Sequence, residues 1–231
     1  MVLTHEKAEF ERVSSAWKIV EQRSADEART LVGAWSADIA RLDALERALR
    51  RQGRWQRGPS DFFGVLRIPF DEVRHCRMLA WLLDPLATHG LGDRFLKSFL
   101  DSLTPMTSSR ESFGGDLGDV QIVSEEPREE TRADIVVYGS TWAILIEAKV
   151  LAGEQGDQGR RLEERWASDQ PHFIFLTRSG RAMRTGSSVW IPYRWSQLAR
   201  TLRNCLEDSL PGAKGAGVAW EYLRSMEAHL R

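Results

Sequence analysis

Apolar residues recur every three or four positions through the first 51 residues, a pattern that predicts two helices, 4 to 23 and 25 to 51. Ser24 with Glu27 three residues on reads as a capping box opening the second helix. Leu31, Trp35, Leu42, Leu45 and Leu49 follow at helical spacing, and Gly53 is a natural stop. Residues 1–58 are therefore expected to form a helical hairpin that packs on the rest of the chain or on a second copy. From Asp61 the sequence DFFGVLRIPFDEVRHCRMLAWLLDPLATHGLGDRFLKSFLDSL predicts two more helices. Asp71 caps the first, Asp84-Pro85 closes it and Gly92-Asp93 opens the second.

The period then shortens. DVQIVSEE (119–126), ADIVVYG (133–139), WAILIEAKV (142–150) and HFIFLTR (172–178) are short and rich in β-formers, with a helix from about Glu154 to Trp166 between the last two. A short strand from Ser188, a helix that Ser196 can cap and a last helix from about Val218 complete the order. Helices, a three-strand meander, a helix, a strand, then strand and helix again predict an α/β fold. Its mixed central sheet carries helices on both faces and occupies residues 59–231.

Two charges interrupt the most apolar strand: Glu147 and Lys149 in ILIEAKV. A two-residue loop at Ser140-Thr141 places Asp134 directly opposite Glu147, whereas a loop at Gly139-Ser140 places it on the diagonal. In both registers Asp134, Glu147 and Lys149 share one face, while Ile135, Val137, Ile144, Ile146 and Val150 form the other. Directly paired Cβ atoms lie roughly 5 Å apart. Two carboxylates at that spacing in a buried place need a cation or a proton. A hard divalent ion such as Mg²⁺ takes carboxylates, a backbone carbonyl and waters, and it lowers the pKa of a bound water. An adjacent ammonium offsets charge growing on a phosphate. The alternative is a structural ion-pair network among these residues and nearby arginines.

The residues ADIVVYGSTWAILIEAKV, an Asp at the start of one strand and Glu-X-Lys on the next, resemble the PD-(D/E)XK nuclease superfamily. Ala133 stands where that family often has Pro. FFGVL, DEVRHCRMLAWLLDPLATHGLGDRFLKSFL, AGEQGDQ, FIFLTRSG and a late W-I-P extend the resemblance over about residues 60 to 205, towards one bacterial branch. Cys76 takes a position where that branch usually has Ser. The resemblance implies a restriction-endonuclease-like core with Asp134 and Glu147 as metal ligands, assisted by the carbonyl of Ala148. It further implies Lys149 as the catalytic lysine and Gln158 as the glutamine of the following helix, with Glu154 one turn earlier. Glu72 is the candidate for a further acidic residue, and Glu125 and Glu126 compete with it. Glu72 and His75 lie three apart on one helical face, so both can point to the same place. His75 and His89 otherwise read as a helix contact and a loop hydrogen-bonder.

The implied activity is Mg²⁺-dependent hydrolysis of phosphodiesters in DNA by a metal-bound water, with Mn²⁺ as a substitute. A nucleic-acid-binding or partner-docking module without turnover is the rival. Candidate contacts to nucleic acid are Arg178, Arg181 and Arg184 after the fourth strand, and Arg160, Arg161 and Arg165 on the helix after the catalytic strand. A third group, Arg47, Arg50, Arg51, Arg54 and Arg57, surrounds Trp55. Of 231 residues, 42% are hydrophobic and 28% charged, with a net charge of −1, so disorder is not expected and charge alone neither favours nor excludes a polyanion. Cys76 and Cys205 form no motif, no leader is recognisable and no apolar run approaches the roughly 20 residues of a membrane span. A cytoplasmic protein is expected, acting alone, as a homodimer or as a subunit of a larger system.

Overall fold

The computed structural model describes residues 2–55, 57–107, 113–208 and 214–231. The chain divides into two compact units, Met1–Gly58 and Pro59–Arg231. The first is one helix, α1 (Val2–Arg51), and not the expected hairpin. The Ser24…Glu27 pair lies inside it. A capping box is a signal only where the backbone turns, and the surrounding Ala, Arg, Glu and Leu give the helix no reason to stop before Gly53, which takes φ +65°.

The second unit opens with a short helix, α2 (Phe62–Val65), capped by the side chain of Asp61. Helix α3 (Glu72–Leu83) starts where Asp71 accepts the Arg74 N–H at 3.0 Å and ends at Asp84, and α4 (Arg94–Leu103) follows. The strands are β1 (Gln121–Arg128), β2 (Thr131–Tyr138), β3 (Ala143–Lys149), β4 (His172–Thr177) and β5 (Ile191–Arg194), in the order β1-β2-β3-β4-β5. The first three form an antiparallel meander, and β4 and β5 join β3 in parallel. Between β3 and β4 runs α5 (Gln158–Arg165), shorter than expected because residues 151–157 form a loop. The final helices are α6 (Trp195–Glu207) and α7 (Ala216–His229). Strand β5 begins at Ile191 and not at Ser188. Helix α6 is capped at Arg194, whose N–H is received by Gln197 at 3.0 Å, two residues ahead of Ser196.

Period-two alternation sorts the sheet into two apolar faces. Ile135, Val137, Ile144, Ile146, Ile174 and Leu176 meet α3, α4, α6 and α7 in the larger core. Val136, Leu145, Phe173 and Phe175 meet Leu162 of α5 with Trp166, Met183 and Trp190 in the smaller one. Every residue of β3 is buried, as expected for a central strand covered on both faces. Proline is confined to the edge strands, Pro127 in β1 and Pro192 in β5, where a missing donor does not break an inner ladder.

Candidate active site

The β2–β3 turn decides the register. Gly139 donates to the Trp142 carbonyl at 2.8 Å and Ile135 faces Ile146, so the loop is Ser140-Thr141, the register whose next step points Asp134 towards Glu147. The indole of Trp142 lies where a side chain on residue 139 would be, 2.2 Å from a Cβ built there, and its Nε1 donates to the Gly114 carbonyl at 2.9 Å. Only glycine fits under that ring. The ladder stops at Ile135–Ile146, and beyond it the Asp134 carboxylate receives the Ala148 N–H at 2.8 Å.

Asp134, Glu147 and Lys149 thus continue the face of Val136 and Leu145 to the C-terminal end of β3. Glu147 is fully buried and Lys149 is 8% exposed. The Lys149 ammonium lies 2.6 Å from Glu147 Oε1 and 3.1 Å from Glu72 Oε1. Glu72 arrives because Asp71 fixes the start of α3 at this point. Its second oxygen accepts the Val150 N–H at 3.0 Å, just past the last β3–β4 pair, Lys149–Thr177. Gln158, the first residue of α5, donates to Glu147 Oε1 at 2.7 Å. Trp195 Nε1 donates to the Lys149 carbonyl at 3.3 Å and holds the strand end from the opposite core.

Two carboxylates therefore contact one ammonium, and the charge of a third, Asp134, also acts on it. Burial, and then the charge of Asp134, push the Glu147 carboxyl up to about 8, against the pull of Lys149. Burial also raises Asp134, opposed by the Ala148 N–H and Lys149. Burial disfavours the Lys149 charge too, yet Glu147, Asp134 and Glu72 together hold its pKa above the ordinary lysine range. Glu147 Oε2 is buried without a hydrogen-bond partner. An orphaned carboxylate oxygen is costly, and it marks a position that expects a further partner.

The other candidates separate. His75 does not join Glu72; it lies between the Pro69 carbonyl at 3.0 Å and the Tyr222 hydroxyl at 3.2 Å, among Phe63, Tyr222 and Trp195, with burial lowering its pKa. His89 bridges the Asp84 carbonyl and the Leu91 N–H. Cys76 is 2% exposed in the larger core, and burial followed by the nearby carboxylates keeps its thiol well above the ordinary range. Glu126 is bound by Tyr138 and Arg128, and Glu125 pairs loosely with Arg77 and Arg132. Glu154 is in the loop before α5, not on its face, and it ties down residues 181–185 through the Arg184 and Thr185 N–H groups and the Arg181 guanidinium.

Among the arginines, Arg181 is committed to Glu154 and the Phe175 ring, 4.9 Å away, whereas Arg160, Arg161 and Arg184 are exposed. Arg178 lies over the ring of Phe70, two residues before Glu72, at 5.6 Å, and its Nε is buried without a partner. In the first unit Arg50 and Arg57 both hold Glu46. Sequence reasoning did not single out Phe70, which seats Arg178 beside α3; its only signal was an aromatic immediately before the Asp71 cap.

Among the described residues no three His, Cys, Asp or Glu side chains stand ready to hold a metal ion as they are. The Lys149 ammonium lies against Glu147 and Glu72. The donor set nevertheless fits a hard divalent cation: two anionic oxygens on neighbouring strands, one of them orphaned, with the Ala148 carbonyl between Glu147 and Lys149 in sequence. A family model for the PD-(D/E)XK nuclease superfamily matches residues 60–224. No curated protein and no solved structure matches the chain. Among the described residues no helix is long and apolar enough to cross a membrane.

Proposed function

The chain belongs to the PD-(D/E)XK nuclease superfamily, and we propose that it hydrolyses phosphodiester bonds in DNA with the help of Mg²⁺. The observation that carries this reading is the excess of carboxylate over ammonium at one buried place, with Glu147 Oε2 left orphaned. A structural network would be balanced. Asp134, Glu147 and the Ala148 carbonyl would hold the ion, which, when bound, polarises the phosphate and lowers the pKa of a water. Gln158 fixes the orientation of Glu147 through its amide. Neutralising Glu147 frees the Lys149 ammonium from its 2.6 Å contact, leaving Glu72 as its anchor. From there the ammonium orients water and offsets the charge that develops on the phosphate. Arg178 supplies a cation for the DNA backbone beside the site.

Supercoiled plasmid incubated with the protein and Mg²⁺ or Mn²⁺ tests the proposal, beside Lys149→Ala and EDTA controls. Nicking or linearisation that disappears in both controls is expected, and cleavage retained by Lys149→Ala sinks the mechanism. Melting curves supply a second reading independent of turnover. Mg²⁺ should raise the melting temperature of the wild type and leave Glu147→Gln unmoved. A wild type indifferent to Mg²⁺ that still binds DNA identifies a binding module without turnover.

A further inference from the structure

Helix α1 carries a long apolar stripe that its own unit leaves uncovered. At about 100° per residue, Phe10, Val13, Trp17, Leu31, Trp35 and Leu42 fall within an arc of about 60°. The exposures are 74% for Phe10, 63% for Trp17 and Trp35, and 59% for Leu42. From Phe10 to Leu49 the stripe is about 58 Å long, at 1.5 Å per residue. Contiguous apolar surface of this size marks an interaction site.

We propose that this stripe is covered by α1 of a second copy of the chain, running antiparallel. Three observations select that occupant and direction. The first is size. When Phe10 of one copy is set against Leu49 of the other, Trp17 meets Leu42 and Ser24 meets Trp35, because both steps, 10 to 17 to 24 and 49 to 42 to 35, are seven residues. The small Ser24 then receives the largest side chain, and each pair occurs twice. A parallel pair in register would set Trp35 on Trp35 and leave Ser24 facing Ser24 across a gap.

The second is charge. Between residues 9 and 27, five acidic residues face three basic ones, whereas Arg41, Arg47, Arg50 and Arg51 outnumber Asp43 and Glu46 towards the end of α1. Antiparallel packing brings the acidic half onto the basic half, and parallel packing brings like onto like. The third is area. The aromatic side chains of Phe10, Trp17 and Trp35 from two copies, at about 150–250 Å² each, supply on the order of 1,000 Å². Val13, Val20, Leu31, Leu42 and Leu49 carry the total into the range of roughly 1,200–2,000 Å² of stable interfaces.

Sedimentation equilibrium of the full chain should give twice the 26.3 kDa of one copy. Trp17→Glu combined with Trp35→Glu should return it to one copy, with the melting transition of the second unit retained as proof of folding. A spin label at Ser15→Cys, exposed and off the stripe, should report a separation of about 45 Å between copies, from the rise per residue. A parallel pair in register would give on the order of 20 Å, the spacing of packed helices plus the outward reach of both labels. A wild-type monomer, a dimer that survives the double substitution, or the short distance each overturns the proposal.

Discussion

Two clusters of charge sit at the β2 strand and differ in how they are balanced. In one, Arg128 pairs with Glu126 at 3.0 Å and Asp169 at 2.5 Å, donates to the Tyr138 hydroxyl and the Arg165 carbonyl, and lies 4.4 Å over the ring of Trp166. Tyr138 in turn donates to Glu126. Each charged group there has a partner and keeps some solvent contact. In the other, Glu147 and Glu72 share the one Lys149 ammonium with Asp134 close by, Glu147 is fully buried and one of its oxygens has no partner. A network that serves the fold satisfies its members, because an unpaired buried charge costs several kcal/mol. A cluster left with excess charge carries that cost for a ligand, and this separates the site from the structural pair more sharply than proximity does.

The sharpest way to break the comparison is to neutralise one carboxylate in each cluster. Glu147→Gln should lower plasmid cleavage by more than about 10²-fold with the melting temperature in EDTA kept or raised, since it removes a buried charge. Glu126→Gln should leave cleavage unchanged. Gln158→Ala, which removes the group orienting Glu147, should cost about 10- to 100-fold in cleavage or in Mg²⁺ affinity. The reverse pattern is expected of Arg128→Ala. Cleavage within about twofold of wild type should accompany a loss of about 1–3 kcal/mol in denaturant unfolding, because Glu126 and Asp169 lose their shared partner.

A third cluster, Asp61 with Ser225 and His229, belongs with the balanced kind and gives the smallest effect. Burial opposes the Asp61 charge, but the Gly64 N–H, the Ser225 hydroxyl and His229 together hold its pKa below the ordinary carboxylate value. A group with a depressed pKa contributes stability that is present above its unfolded value, near 3.8, and is lost as pH falls through the folded one. Unfolding of Asp61→Asn compared with wild type should therefore differ by about 1 kcal/mol at pH 7 and converge as pH falls below 3.8 through the folded pKa. A difference independent of pH would remove Asp61 from this group.

Much of the site was legible because β-structure alternates strictly. Asp134, Glu147 and Lys149 share a face whichever two-residue loop joins the strands, so their association follows from local spacing. The loop itself was settled by Trp142 lying over Gly139, a contact the alternation does not contain. Glu72 was the candidate from sequence, with Glu125 and Glu126 competing. Glu72 reaches Lys149 from 77 residues away because α3 packs with its first turn at the end of β3, while β1 turns Glu126 into the Arg128 network. His75 separated from Glu72 because the aromatic rings of Phe63, Tyr222 and Trp195 enclose it.

The expected hairpin shows the opposite failure. Ser24 and Glu27 are compatible with a helix start and with a helix interior, and local chemistry does not say which. Sequence alone determined the order of the strands and the face shared by Asp134, Glu147 and Lys149, since these follow from period, propensity and short spacing. Tertiary structure decided the third acidic residue, the fate of each arginine and the excess of charge around Lys149. Those depend on which distant groups arrive at the end of β3, and arrival is set by packing.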